Sequence, residues 1–308
     1  MSSILRSNIP NLAVMLKPSH FGYNYQTAAS NRFQQKKIYT DIHKKTQQEF
    51  DTMLAQMESQ HIHLHCFEDV DVVLPDAVFP NNWISHFPDN TLVIYPMMAA
   101  NRQAEIRPDI IQELSDKLSI NRLIDLSEKH QEKRYLEGTG SIVFDHDSKT
   151  AYSCLSPRTD LTLLSELCNE IGYSTVSFES VDLQGKQIYH TNVMMSIGSQ
   201  LFFVCLESIT NPIERKMLEE SLSSGGKRII DLSYQQMNAF AANTIELLNK
   251  NGDRIQLMSK TAVNKLSEEQ KRCIEKELLL LPVEIPTIEN IGGGSVRCMI
   301  AGFYNHPK

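Results

Sequence analysis

Residues 192–232 read NVMMSIGSQLFFVCLESITNPIERKMLEESLSSGGKRIIDL. Two apolar runs flank the turn Gly198-Ser199-Gln200, the pattern of a β-hairpin closed by small polar residues. A helical stretch follows over 211–223, and a short strand from Lys227 closes the unit as β-β-α-β. The same order of elements recurs along the chain. Hairpins are expected in WISHFPDNTLVIYP (83–96), SIVFDHDSKTAYSCLS (141–156) and TIELLNKNGDRIQLMS (244–259). Helices are expected over 105–118, 160–171 and 267–280, with closing strands from Arg122, Tyr173 and Val283. Asp160 before the second of these helices and Gly172 after it are a cap and a stop, and Ser267 with Gln270 forms a capping box. A fifth unit is split by the chain ends: strand 11–17, helix 40–58, strand 62–67, and a last strand over 296–304 that closes a ring. Repeats of this kind decide a fold before any single motif does. The expected class is α/β, one domain over residues 1–308 in which five ββαβ units close a ring.

Reactive residues fall on the repeat. Asn82, Glu137, His190, Asn243 and Cys298 each stand at or just before the first strand of a hairpin or the closing strand, at separations of 55, 53, 53 and 55. Equivalent positions in a pseudo-symmetric ring face one axis. A single Cys in an apolar strand is ordinarily core, and a single His before a strand is ordinarily structural. The shared period is what lifts these residues out of that background. A Cys and a His brought together make a nucleophile and its acid/base partner. Arg297 beside Cys298 would favour the thiolate, and Gly292, Gly293 and Gly294 let backbone approach a small ligand. A carboxylate at such a site, Glu137, suits a substrate rich in N–H donors.

Composition sets the limits. The 308 residues carry 30 basic and 37 acidic side chains, for a net charge of −7. Without a basic excess, a nucleic-acid partner is not expected. No apolar run reaches the ~18 residues of a membrane span. The opening MSSILRSNIPNLAV lacks the basic and apolar regions of a signal peptide, so a cytoplasmic location is expected. Six scattered cysteines show no zinc spacing and are expected to be reduced. His61, His63 and His65 alternate on one strand face, yet no further ligand cluster accompanies them, so no metal is expected. The EGTGS run from Glu137 lacks the Lys-Ser/Thr of a phosphate-binding loop.

At these residues the chain resembles the guanidine-modifying (pentein) superfamily, which implies a five-bladed α/β propeller and includes arginine deiminases, dimethylarginine hydrolases, arginine dihydrolases and amidinotransferases. The motifs most similar are those of citrulline-utilisation hydrolases: MLKPSHFGYN from Met15, TAASNRF from Thr27, DAVFPNNW from Asp76, LEGTGS from Leu136, LSPRTD from Leu155, YHTNVMM from Tyr189 and GGGSVRCM from Gly292. The resemblance implies Cys298 as nucleophile, His190 as general acid/base and Glu137 as the group holding the amino groups of the substrate head. It implies Arg102 and Arg158 at a substrate carboxylate and Asn31 in the pocket lining. Deiminases of this superfamily carry aspartates where this chain has Asn82 and Asn192. Two amides in place of two anions remove the charge complement of a guanidinium and suit the carbonyl of a neutral ureido group. The expected activity is cysteine-dependent hydrolysis of a ureido or guanidino amino acid at a non-peptide C–N bond, with no cofactor. An amidinotransferase sharing the same site and a non-catalytic pentein binding protein are the alternatives. The expected partner is a small amino-acid substrate, with a homodimer left open.

Overall fold

A computed structural model describes residues 8–36, 41–68 and 72–305. They form five three-stranded sheets. In each, the middle strand pairs antiparallel with one neighbour and parallel with the other. Leu201–Val204 pairs antiparallel with Met195–Ile197 and parallel with Arg228–Asp231, with the helix Pro212–Ser224 between. The sheets of Ile84–His86, Thr91–Ile94 and Arg122–Asp125, and of Val143–Asp145, Thr150–Cys154 and Ser174–Phe178, repeat this pattern. So does the sheet of Ile245–Leu248, Arg254–Ser259 and Leu279–Val283. The fifth sheet joins the two ends of the chain: Leu12–Leu16 pairs antiparallel with Ala301–Phe303 and parallel with Leu64–Phe67. A parallel return within one sheet needs a crossover, and a helix supplies it in every unit.

The helix Leu161–Ile171 shows why these segments fold as they do. The Asp160 carboxylate accepts from the Leu163 backbone N–H, and Gly172 ends the helix at φ 74°. Leu163, Leu164, Leu167 and Cys168 form its inner face and pack with Val93, Tyr95 and Ile124 of the neighbouring sheet. Each buried leucine contributes about 2 kcal/mol. Both halves of the Ser267–Gln270 capping box are present.

Several boundaries differ from the sequence reading. The helix expected to run to 280 ends at Glu277, and Leu279–Val283 is a strand paired with Ile255–Ser259. Pro282 cannot sit in a helix interior, and the sheet needs its third strand. Only Ala301–Phe303 of the expected 296–304 strand is extended, and Val296–Met299 is a helical turn. The strand expected from Val283 ends there, because Pro286 opens the helix Pro286–Gly292. The helix expected from residue 40 begins, within the described residues, at Ile42.

Candidate active site

The residues on the 53–55 period converge. Four stand on short helical turns that precede a strand, or cap them: Asn82 ends Pro80–Asn82, Glu137 caps Gly138–Ser141, His190 caps Thr191–Met194 and Cys298 lies in Val296–Met299. The tight turn before each strand aims its side chain inward. Space is close enough that a Cβ on Gly140 would lie 2.7 Å from His190 Nδ1. A Cβ on Gly293, at φ 63°, would lie 2.6 Å from the Gln34 backbone nitrogen.

Glu137 and His190 are buried and in contact, His190 Nε2 to Glu137 Oε2 at 2.8 Å. Arg158 Nη1 donates to the same oxygen at 3.1 Å, and the Met98 N–H donates to Oε1 at 3.0 Å. Burial pushes the Glu137 carboxyl up, but Arg158, His190 and Arg102 pull it well below the carboxylate range. Burial takes His190 down to about 4, against the pull of Glu137. The resting pair is therefore a carboxylate and a neutral imidazole. With Nε2–H donating to Glu137, Nδ1 is the basic nitrogen.

The Cys298 sulfur accepts from Asn243 Nδ2 at 3.3 Å and from Asn192 Nδ2 at 3.5 Å. Burial raises its pKa; Asn243, the Ser295 backbone, Arg297 and Asn192 oppose the rise without cancelling it. Cys298 at rest is thus a thiol with donors already placed for a thiolate, and the neighbouring Arg297 alone does not ionise it. Cys298 and His190 line one small cavity with Asn31, Asp76, Asn82, Arg102 and Arg158. Its volume of about 10 Å³ is roughly what one water needs.

The two arginines differ. Arg102 is committed to the protein: Nε and Nη2 grip Glu105, Nη2 reaches the Phe79 carbonyl, and Nη1 donates to Asn82 Oδ1 at 2.7 Å. Arginine only donates, so it fixes the Asn82 oxygen on its own side. The Asn82 Nδ2 group is left buried and without a partner. Arg158 donates to Ser30 Oγ and the Thr27 carbonyl, both on the segment that covers the site. Without that segment Arg158 Nε and Nη2 would be open while Nη1 stayed on Glu137, whereas Arg102 has no hydrogen bond to it. Asn31 ties the same segment down, with Nδ2 donating to the Gly292 carbonyl at 3.1 Å. Glu137, expected to meet substrate amino groups, spends its oxygens on protein donors.

Three residues were not given a role by the sequence reading. Asp76 is buried on Asn24 and Thr27, and its Oδ1 has no partner. Asn243 lay on the period, yet its part as a thiol donor needs the structure. Its Oδ1 also accepts from the Ser295 N–H at 3.2 Å. Tyr189 lies 4.8 Å under the Arg158 guanidinium and donates to the Gly293 carbonyl. Among the described residues no His, Cys, Asp and Glu group is arranged to hold a metal. His65 pairs with Glu113 instead.

Sheets and site together define a protein of the guanidine-modifying, or pentein, superfamily. Within it, the chain belongs to the family described as N,N dimethylarginine dimethylhydrolase, eukaryotic, whose model matches residues 17–305. No curated protein sequence matches the chain. Among solved structures it is similar to ArgZ, an arginine dihydrolase from the ornithine–ammonia cycle in cyanobacteria, with 15% identity and a TM-score of 0.73. That match covers 94% of this chain but 40% of ArgZ, so the chain spans about two fifths of that protein. The substrate-bound N-terminal domain of ArgZ alone is matched over 96% of its length and 94% of this chain, with 16% identity and a TM-score of 0.72. A dimethylarginine dimethylaminohydrolase adduct is matched over its whole length and 96% of this chain, with 14% identity and a TM-score of 0.66. At these identities the likeness is one of fold.

Proposed function

We propose that the chain hydrolyses a ureido or guanidino amino acid, with citrulline preferred to arginine. The chain is a hydrolase of non-peptide C–N bonds in arginine-like compounds, as its family is. The preference rests on Asn82. Arg102 holds its oxygen, so it offers the site a buried N–H donor that lacks a partner. A guanidinium has only donors to set against it. A ureido carbonyl accepts.

In this reading His190 Nδ1 takes the Cys298 proton and the thiolate adds to the planar carbon of the head group. The imidazolium returns the proton to the departing amine as the C–N bond breaks, leaving a thiocarbamoyl enzyme. Water, deprotonated by His190, then releases the second part. Glu137 orients His190 and stabilises its charged form. Asn192 and Asn243 stabilise the thiolate, Arg158 receives the substrate carboxylate once the covering segment moves, and Asn31 holds that segment. The unpaired Asp76 oxygen is placed for the substrate α-ammonium. Arg102 is a positioning residue for Asn82. The five sheets act as five blades around the site, in a single domain over residues 1–308 that works in the cytoplasm without a cofactor.

The test is turnover of citrulline, arginine and dimethylarginine, with ornithine, citrulline and ammonia read separately. The expected result is ornithine from citrulline. Asn82→Asp should move the kcat/KM ratio towards arginine by roughly tenfold to a hundredfold, the scale of one charge-assisted hydrogen bond. An unchanged ratio in an active variant removes Asn82 from head-group selection.

A further inference from the structure

A second cavity, far larger than the one that holds Cys298 and His190, lies elsewhere among the described residues. It has a volume of about 340 Å³ and is lined by Asp145, Ser196, Lys227, Glu246 and Arg297. Asn192 lines it too, while its Nδ2 donates to the Cys298 sulfur. The cavity therefore lies directly behind the thiol.

The lining carries Asp145, Asp147 and Glu246 against Lys227 and Arg297, and the pairing among them is uneven. Lys227 is held by Asp145 at 2.6 Å and by Asp147 at 3.0 Å, and Asn8 also donates to Asp147. Glu246 accepts from the backbone and hydroxyl of Ser199. Arg297 has only the Ile300 carbonyl, 2.8 Å from Nη1, and no carboxylate within ion-pair distance among the described residues. Burial pulls its pKa below the usual arginine value, and the nearby Cys298 and Tyr304 act in the opposite direction without cancelling it. A buried cation without a counter-charge is costly. Two more polar groups in the lining lack partners. Ser196 is 6% exposed with an unpaired hydroxyl, and Asn192 is 1% exposed with an unpaired Oδ1.

These groups specify their ligand. A guanidinium fork and a hydroxyl recognise an oxyanion. The Asn192 oxygen needs a donor, so the anion must itself carry an O–H. We propose that this cavity binds a small protonated oxyanion, hydrogencarbonate or hydrogenphosphate, held by Arg297, Ser196 and Asn192. A bound anion neutralises Arg297, which otherwise favours the Cys298 thiolate, so occupancy slows reaction at the thiol. The ureido carbon leaves the proposed reaction as carbon dioxide, whose hydrated form is one of the two ligands. That last link alone rests on the proposed function.

The experiment is thermal unfolding of the full chain in sodium hydrogencarbonate, phosphate or chloride at fixed pH and ionic strength, with iodoacetamide labelling of Cys298 alongside. At a hundredfold excess over Kd an oxyanion should raise Tm by about 4 °C, saturably, and slow labelling severalfold. Chloride should do neither. The rise should survive in Cys298→Ala and disappear in Arg297→Met and in Ser196→Val. Should Arg297→Met not fold, Ser196→Val decides. A response to one oxyanion alone names the ligand. No rise with either oxyanion, an equal rise with chloride, a rise kept in Ser196→Val, or a rise lost in Cys298→Ala would each overturn the proposal.

Discussion

At the scale of single residues, His190 carries a pH dependence whose sign is set by its burial. Its folded pKa of about 4 is depressed from the ~6.5 of an unfolded histidine. The folded state therefore binds fewer protons between those values. Its contribution to stability is full above ~6.5 and shrinks as pH falls towards 4. Glu137, also depressed, adds a further loss below the ordinary carboxylate range. Between pH 7 and pH 5 wild type should lose roughly 2 kcal/mol more unfolding free energy than His190→Asn, read by urea titration. Equal losses would assign the acid limb to another group, such as His146, which is partly buried and also lowered to about 4. The Cys298 thiolate gives a second test. Asn243→Ala removes its closer donor, so alkylation should slow about tenfold to a hundredfold, the worth of a hydrogen bond to a charge. Asn192→Ala, at the longer contact, should slow it less. Cys66 and Cys205, pushed by burial to about 11 and about 12, should not compete for the reagent. Cys298, His190 and Glu137 were legible in the sequence because each occupies the same place in a repeat. Asp76 was not, because its unpaired oxygen depends on how Asn24 and Thr27 fold over it.

At the scale of elements, the segment from Pro18 to Lys36 has no regular helix or strand, yet Asn24, Thr27 and Asn31 within it are buried. Phe33 packs on Tyr189 and Phe240, and Asn31 binds the glycine run before Cys298. The cavity beneath it, about 10 Å³, has no room for an amino acid, so the proposed reaction requires this segment to lift. Asn31→Ala should loosen it. Backbone amides of residues 27–36 should exchange severalfold faster in hydrogen–deuterium exchange, and the change should fall on KM more than on the stability of the whole chain. Unaltered exchange would mean that the aromatic contacts alone hold the segment. Helix boundaries followed their chemistry where caps were explicit, as at Asp160 and Gly172. They failed at Leu278–Leu281, where four leucines fit a buried helix as well as a strand and only the sheet partner decides.

At the scale of the whole molecule, the period that exposed the site also exposed the five sheets, since both follow from one repeated unit. What the sequence could not show is that the last unit gives only Ala301–Phe303 to its sheet, so that Cys298 stands on a turn. That sheet exists only when both ends of the chain are present. Removing residues 301–308 deletes the antiparallel partner of Leu12–Leu16 and uncovers Val14 and Leu16, which pack with Phe303 in one apolar cluster. The shortened chain is expected to be insoluble or to unfold at least 10 °C lower. A folded chain of wild-type Tm would show that the closing strand is dispensable.

The same seam has a mechanical meaning. Leu12 lies opposite Phe303, and the chain enters and leaves the sheet at that one end. A pull on the two tails loads the hydrogen bonds one after another, as a zip opens, instead of shearing them together. The first turn beyond the seam is the one that carries Cys298. A motor threading the protein from its C-terminus would thus unravel the turn of Cys298, the proposed nucleophile, before it breached any of the other four sheets.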